Sequence, residues 1–97
     1  MSEGLDVTES RSFIIGREGH IYVSNAAASK HHAQMTVDEG KFFLRDLDST
    51  NGTYLLKNKK LVHFQEGYVH PDQPIVIGSK MYTARKLLDA VNSFYTN

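Results

Sequence analysis

Three polar clusters in this 97-residue chain carry side chains able to do chemistry. The first is Gly16-Arg17, at the end of the apolar run SFIIGR (12–17). The second is ASKHHA (28–33), with Ser29, Lys30, His31 and His32. The third is DLDSTNGTYLL (46–56), where two carboxylates, two hydroxyls and an Asn-Gly pair precede an apolar return. Asp, Ser and Asn bond to nearby backbone and Asn-Gly tolerates positive φ, so the third cluster reads as a turn between strands. If the clusters converge, a guanidinium (Arg17), an ammonium (Lys30), two hydroxyls (Ser29, Thr50) and a carboxamide (Asn51) share one pocket. Nearly all of these donate hydrogen bonds. A dianionic phosphate ester, with three strong acceptor oxygens, complements them better than a carboxylate does.

Convergence requires a suitable frame. Ala33, Met35 and Val37 alternate with Gln34, Thr36 and Asp38, the period of a half-buried strand. Glu39-Gly40 then turns into KFFLRD (41–46), completing a hairpin over 33–46. Further short strands are expected at 12–17, 20–23, 53–56 and 60–64. A last hairpin, PIVIG (74–78) and KMYTARKL (80–87), turns about Gly78-Ser79. Many short strands with little helical pattern predict an all-β, antiparallel β-sandwich. KLLDAVNSF (86–94) can form one or two helical turns with Leu87, Leu88 and Val91 facing inward. Residues 64–73 read as one short strand or a long loop. In a sandwich the loops gather at the two sheet ends, which lets distant turns meet.

Composition narrows the function. The length suits one domain: a leader at 1–10, the folded unit at 11–90 and a tail at 91–97. Eleven basic residues balance eleven acidic ones, which argues against a nucleic-acid partner bound through a broad basic surface. The absence of cysteine rules out disulfides and thiolate metal sites and is compatible with a cytoplasmic location. No apolar run approaches the roughly 20 residues that span a bilayer, and the polar, acidic leader does not read as a signal peptide, so no membrane partner is expected.

Taken singly, each residue has a plainer reading. Arg17 is a strand-end cation paired with Glu18 or Asp48, Ser29 caps a turn, and Asn51-Gly52 makes a hairpin. His31 and His32 point opposite ways on an extended chain, and His20, His63 and His70 show no metal-ligand spacing, so no metal is expected. A Ser29–His32–Asp triad lacks the sequence context of a nucleophile. Lys57, Lys59 and Lys60 read as a solvated turn, or as a positive field extended toward an acidic phosphopeptide.

Taken in order, Gly16-Arg17, Ser29-Lys30-His31-His32-Ala33 and Asp46 to Thr53 resemble the forkhead-associated (FHA) domain family from about residue 13 to about 86. The resemblance implies a sandwich of about eleven strands whose loops at one end bind phosphothreonine peptides, without enzymatic activity or a cofactor. It implies phosphate contacts from Arg17, Ser29, Lys30 and Thr50, with Lys30 standing where the family usually has arginine. It implies a peptide-backbone contact from Asn51, and support from Gly16, His32 and Gly52. Residues flanking the phosphothreonine would meet the loops around 25–28, 48–54 and 65–73. The expected partner is a phosphothreonine-containing protein, with an indirect link to a Ser/Thr kinase pathway. The alternative is an FHA scaffold that binds through a phosphate-independent surface such as a sheet face.

Overall fold

The computed structural model describes residues 11–96; the expected leader at 1–10 lies outside them. Apolar residues at alternate positions build strands with one buried face. Phe13 and Ile15 line β1 (Arg11–Gly16), and Ala33 and Met35 line β3 (Ala33–Asp38). Phe42 and Leu44 do the same on β4 (Lys41–Asp46). With β2 (Ile21–Tyr22) and β7 (Glu66–Val69), these form a five-stranded sheet of order β2-β1-β3-β4-β7. A second sheet, order β6-β5-β8-β9, holds β5 (Thr53–Lys57), β6 (Lys60–His63), β8 (Pro74–Ile77) and β9 (Lys80–Thr83). Leu55, Ile75 and Ile77 supply its buried side. Apart from the short β1–β2 bridge, every pairing is antiparallel.

The sandwich matches the expected architecture, with nine strands among the described residues rather than about eleven. Within 64–73 a short strand, β7, closes one edge of the first sheet. The last hairpin is shorter than the apolar pattern suggests: β9 stops at Thr83, and helix α1 (Ala84–Thr96) follows directly. Thr83 Oγ1 accepts the Lys86 N–H at 3.1 Å, which satisfies one of the first-turn donors that a helix leaves open. Arg85 then holds Asp72 through two bonds of 2.8 and 3.2 Å, tying the helix start to the turn after β7. The helix is therefore longer than one or two turns. Ala84, Leu87 and Val91 are buried, and Leu88 packs against the same core.

Strand register decides where the polar clusters go. Ile15 pairs with Ala33, and Ala33 pairs with Asp46. The end of β1, the start of β3 and the end of β4 therefore lie side by side at one rim. The segment 17–32, which carries β2, and the loop 47–52 both start from this rim.

Candidate functional site

At this rim the loops are laced together by backbone and side-chain bonds. The N–H groups of Arg17 and Glu18 donate to Ser29 O (3.1 Å) and Lys30 O (3.0 Å), so the first two clusters run alongside each other. Gly16 is the closest point of approach. A Cβ there would lie 2.1 Å from Lys30 O, so no side chain fits. The Arg17 Nε–H donates to Ala28 O at 2.7 Å, and no hydrogen bond occupies its two terminal amines among the described residues. The ion pairs of Arg17 with Glu18 or Asp48 that its plainer reading requires do not form; Glu18 instead lies 3.8 Å from Lys30 Nζ. Both of those side chains are well exposed, so this contact is weak and easily exchanged.

The third cluster joins through Ser29 and Asn51. Ser29 Oγ accepts the Thr50 N–H at 3.0 Å, which leaves the hydroxyl proton available to another acceptor. Asn51 Nδ2 donates to Ala27 O at 2.8 Å. Arg17, Ser29, Lys30, Thr50 and Asn51 are thus gathered at one end of the sandwich, and Arg17, Lys30, Thr50 and Asn51 are exposed. Positive φ falls at Asp48 (56°) and Gly52 (83°), so Gly52 carries the left-handed step immediately after Asn51.

Beneath the exposed groups lies a buried brace. His32 is fully buried, and its Nδ1 accepts the Ser29 N–H at 3.0 Å. The ring must therefore carry its proton on Nε2, which donates to Gly52 O at 3.0 Å. Its backbone bonds Ile15 O (2.8 Å) and Leu47 N (2.9 Å). One residue thereby ties together all three polar segments. Its ring meets the backbone of Ser29, whose hydroxyl is bonded to Thr50, so the two do not form a nucleophile–base pair.

Asp46, also buried, organises the 47–52 turn. Its carboxylate accepts from Ser49 N (3.0 Å), Ser49 Oγ (2.6 Å) and Thr53 Oγ1 (2.7 Å). Burial pushes its pKa up, but the hydrogen bonds from the Ser49 hydroxyl, the Thr53 hydroxyl and the Ser49 N–H outweigh it. The group is held below the ordinary carboxylate value. Ser49 Oγ in turn accepts the Gly52 N–H at 2.9 Å. Half of the polar side chains in DLDSTNGT are thus consumed in shaping the turn, leaving Asp48, Thr50 and Asn51 exposed.

One contributor escapes sequence reading. Asn25 is buried between the 24–28 loop and the β8–β9 turn. It donates to Ile77 O (3.3 Å) and accepts the Ser79 N–H (3.1 Å), anchoring the loop whose carbonyls hold Arg17 and Asn51. Only its place in the short Ser-Asn-Ala-Ala-Ala loop marks it in the sequence. Among the described residues, no three His, Asp or Glu side chains gather to hold a metal ion, and no helix is long and apolar enough to cross a membrane.

A two-sheet sandwich with a donor-lined loop rim is the architecture of a binding module. The sequence matches the FHA domain family over residues 13–78, and the chain belongs to that family. FHA domains are interaction modules rather than enzymes. Solved FHA domains share the fold. One, from a structural and functional analysis of phosphothreonine-dependent FHA domain interactions, is 27% identical with a TM-score of 0.66, the match covering 74% of this chain and 73% of that one. Another, the FhaA FHA domain in complex with the intracellular domain of Rv3910, is 29% identical with a TM-score of 0.63, covering 72% and 75%. A third, the FHA-2 domain of the Mycobacterium tuberculosis ABC transporter Rv1747, is 25% identical with a TM-score of 0.60, covering 86% and 72%. No curated protein matches the chain at a significant level.

Proposed function

We propose that this domain binds phosphothreonine in a partner protein at the loop rim. The observation that carries the reading is the convergence of Arg17, Ser29 and Asn51 on one short loop. In this reading the terminal amines of Arg17 grip two phosphate oxygens, for which a planar fork is suited. The Ser29 hydroxyl, already accepting from Thr50 N, donates its own proton to a third oxygen. Lys30 exchanges its loose contact with Glu18 for the phosphate and acts as a point charge. The Thr50 side chain adds a contact from the far side. Asn51 bonds the peptide backbone beside the phosphoresidue and so fixes the peptide's direction. Gly16, His32 and Gly52 hold these groups in place without touching ligand.

Charge-assisted hydrogen bonds contribute roughly 1.5–3 kcal/mol each, and removing the phosphate would leave several donors unpaired. Discrimination of threonine from serine by one buried methyl would add only about 1 kcal/mol. The partner would thus be a protein phosphorylated by a Ser/Thr kinase. The test is calorimetry of wild type and Arg17→Ala against a phosphothreonine peptide chosen from an oriented library. Loss of binding in the variant supports the reading. Unchanged binding would transfer recognition to a phosphate-independent surface.

A further inference from the structure

The β6-β5-β8-β9 sheet is unlike the rest of this neutral chain. Its two hairpins, 53–63 and 74–83, contain Lys57, Lys59, Lys60 and Lys80 but no aspartate or glutamate. Its outer face is apolar where a solvated sheet face ordinarily alternates to polar. Tyr54 pairs with Val76, and Val76 with Met81, across that face. Leu56 pairs with Leu61. Met81 is 54% exposed and Leu61 57%.

Among the described residues the sheet also ends in an open edge, β6. Phe64 N donates to Thr53 O at 2.9 Å, so this pair sits at a hydrogen-bonded position of the ladder. Bonded pairs alternate in an antiparallel ladder, so Val62 and Lys60 also face β5, while Leu61 and His63 turn their peptide groups outward. At its far end β6 reaches the binding rim. A Cβ on Gly52 would lie 3.4 Å from His63 Cδ2, so His63 stands beside the residue that follows Asn51.

We infer that β6 pairs with an extended, acidic and apolar segment of the same phosphorylated partner, continuing from the peptide held at the rim. This rests on the phosphothreonine reading above and names the kind of ligand that site takes. Backbone pairing along Leu61 and His63 would add a strand to the sheet. Apolar side chains of the added strand would cover the exposed apolar edge, and its carboxylates would meet Lys57, Lys59 and Lys60. Four residues of β6 span about 14 Å, within reach of a tail of about six residues. A second copy of the domain is a poor occupant, because it would bring the same acid-free, lysine-bearing sheet. A lipid surface supplies negative charge but no peptide groups for the open edge.

The experiment compares a phosphothreonine peptide of about seven residues with two longer versions. These carry about six alternating glutamate and valine residues on the N-terminal or the C-terminal side. One longer peptide should bind about tenfold more tightly or better, because tethering makes the second contact intramolecular. Leu61→Pro removes one outward N–H without touching the bonds to β5, and Lys60→Glu reverses one charge. Each should abolish the gain and leave the short peptide's affinity unchanged, with circular dichroism melting confirming the fold. If neither tail improves binding, the strand-addition proposal is overturned while phosphate recognition stands. If the short phosphopeptide itself fails to bind, both fall. Co-sedimentation with vesicles of phosphatidylserine and phosphatidylcholine, without any gain from a tail, would reassign the face to membrane contact and overturn the proposal.

Discussion

Arg17 and Asn51 donate to consecutive carbonyls of one loop: Arg17 Nε to Ala28 O at 2.7 Å, and Asn51 Nδ2 to Ala27 O at 2.8 Å. The strand register carries them to the same rim, and this shared loop fixes their spacing. A group held by both must therefore fit the gap between two side chains seated on neighbouring peptides. Preorganisation of this kind lowers the entropy lost when a ligand binds.

His32 is the brace beneath that pair. His32→Ala would leave the Ser29 N–H and the Gly52 carbonyl without their partner in a part-buried setting. Each such loss costs about 1–3 kcal/mol. The variant should lose about 2–4 kcal/mol of stability in urea denaturation and bind phosphopeptide more weakly. An unchanged midpoint would show that the ring is not the brace described.

Gly16→Ala probes the close approach of the first two clusters. The added methyl meets backbone, Lys30 O at 2.1 Å, and cannot be relieved by a side-chain rotation. A loss of about 3 kcal/mol, near the upper end for overpacking, is expected. Thermal unfolding of purified variant and wild type measures it.

Much of this site was legible because its parts are short and ordered along the chain. Gly16-Arg17, the serine–histidine segment and the Asn-Gly turn are each short motifs, and the 33–46 hairpin announced itself by the alternation of 33–38 and the Glu39-Gly40 turn after it. Asn25 was not legible, since one asparagine in a short loop looks the same whether it faces water or a distant turn. The start of α1 was hidden for a related reason. KMYTARKL continues as an apolar strand pattern, and only the Thr83 hydroxyl on Lys86 N marks the change. The division of labour inside DLDSTNGT was equally hidden, because composition does not say which hydroxyls fold back on Asp46.

Asn25→Ala follows from that hidden contact. It removes the acceptor for Ser79 N–H and a donor to Ile77 O, at a cost of about 1–3 kcal/mol. Because the same loop seats Arg17 and Asn51, phosphopeptide affinity should fall as well, although Asn25 is not assigned to the ligand. A variant with reduced stability and undiminished affinity would separate the loop anchor from the site.

Asp46 sets an acid limit. Its pKa is lowered in the folded state, so the folded protein holds the ionised form more strongly than the unfolded chain does. The resulting stability is fully present above the unfolded value of about 3.9 and is lost as pH falls through the lower, folded value. Urea midpoints measured from neutral pH down to strongly acid conditions should drop in that window. In Asp46→Asn the neutral-pH midpoint should be lower and the acid-side drop smaller; an identical profile would remove Asp46 as its source.

The most direct measurement is a paired titration of the domain with a phosphothreonine peptide and its unphosphorylated twin. Binding through the rim formed by Arg17, Ser29 and Asn51 predicts that the phosphorylated form binds at least about 100-fold more tightly, equivalent to about 2.8 kcal/mol. Equal affinities for the two peptides would contradict it.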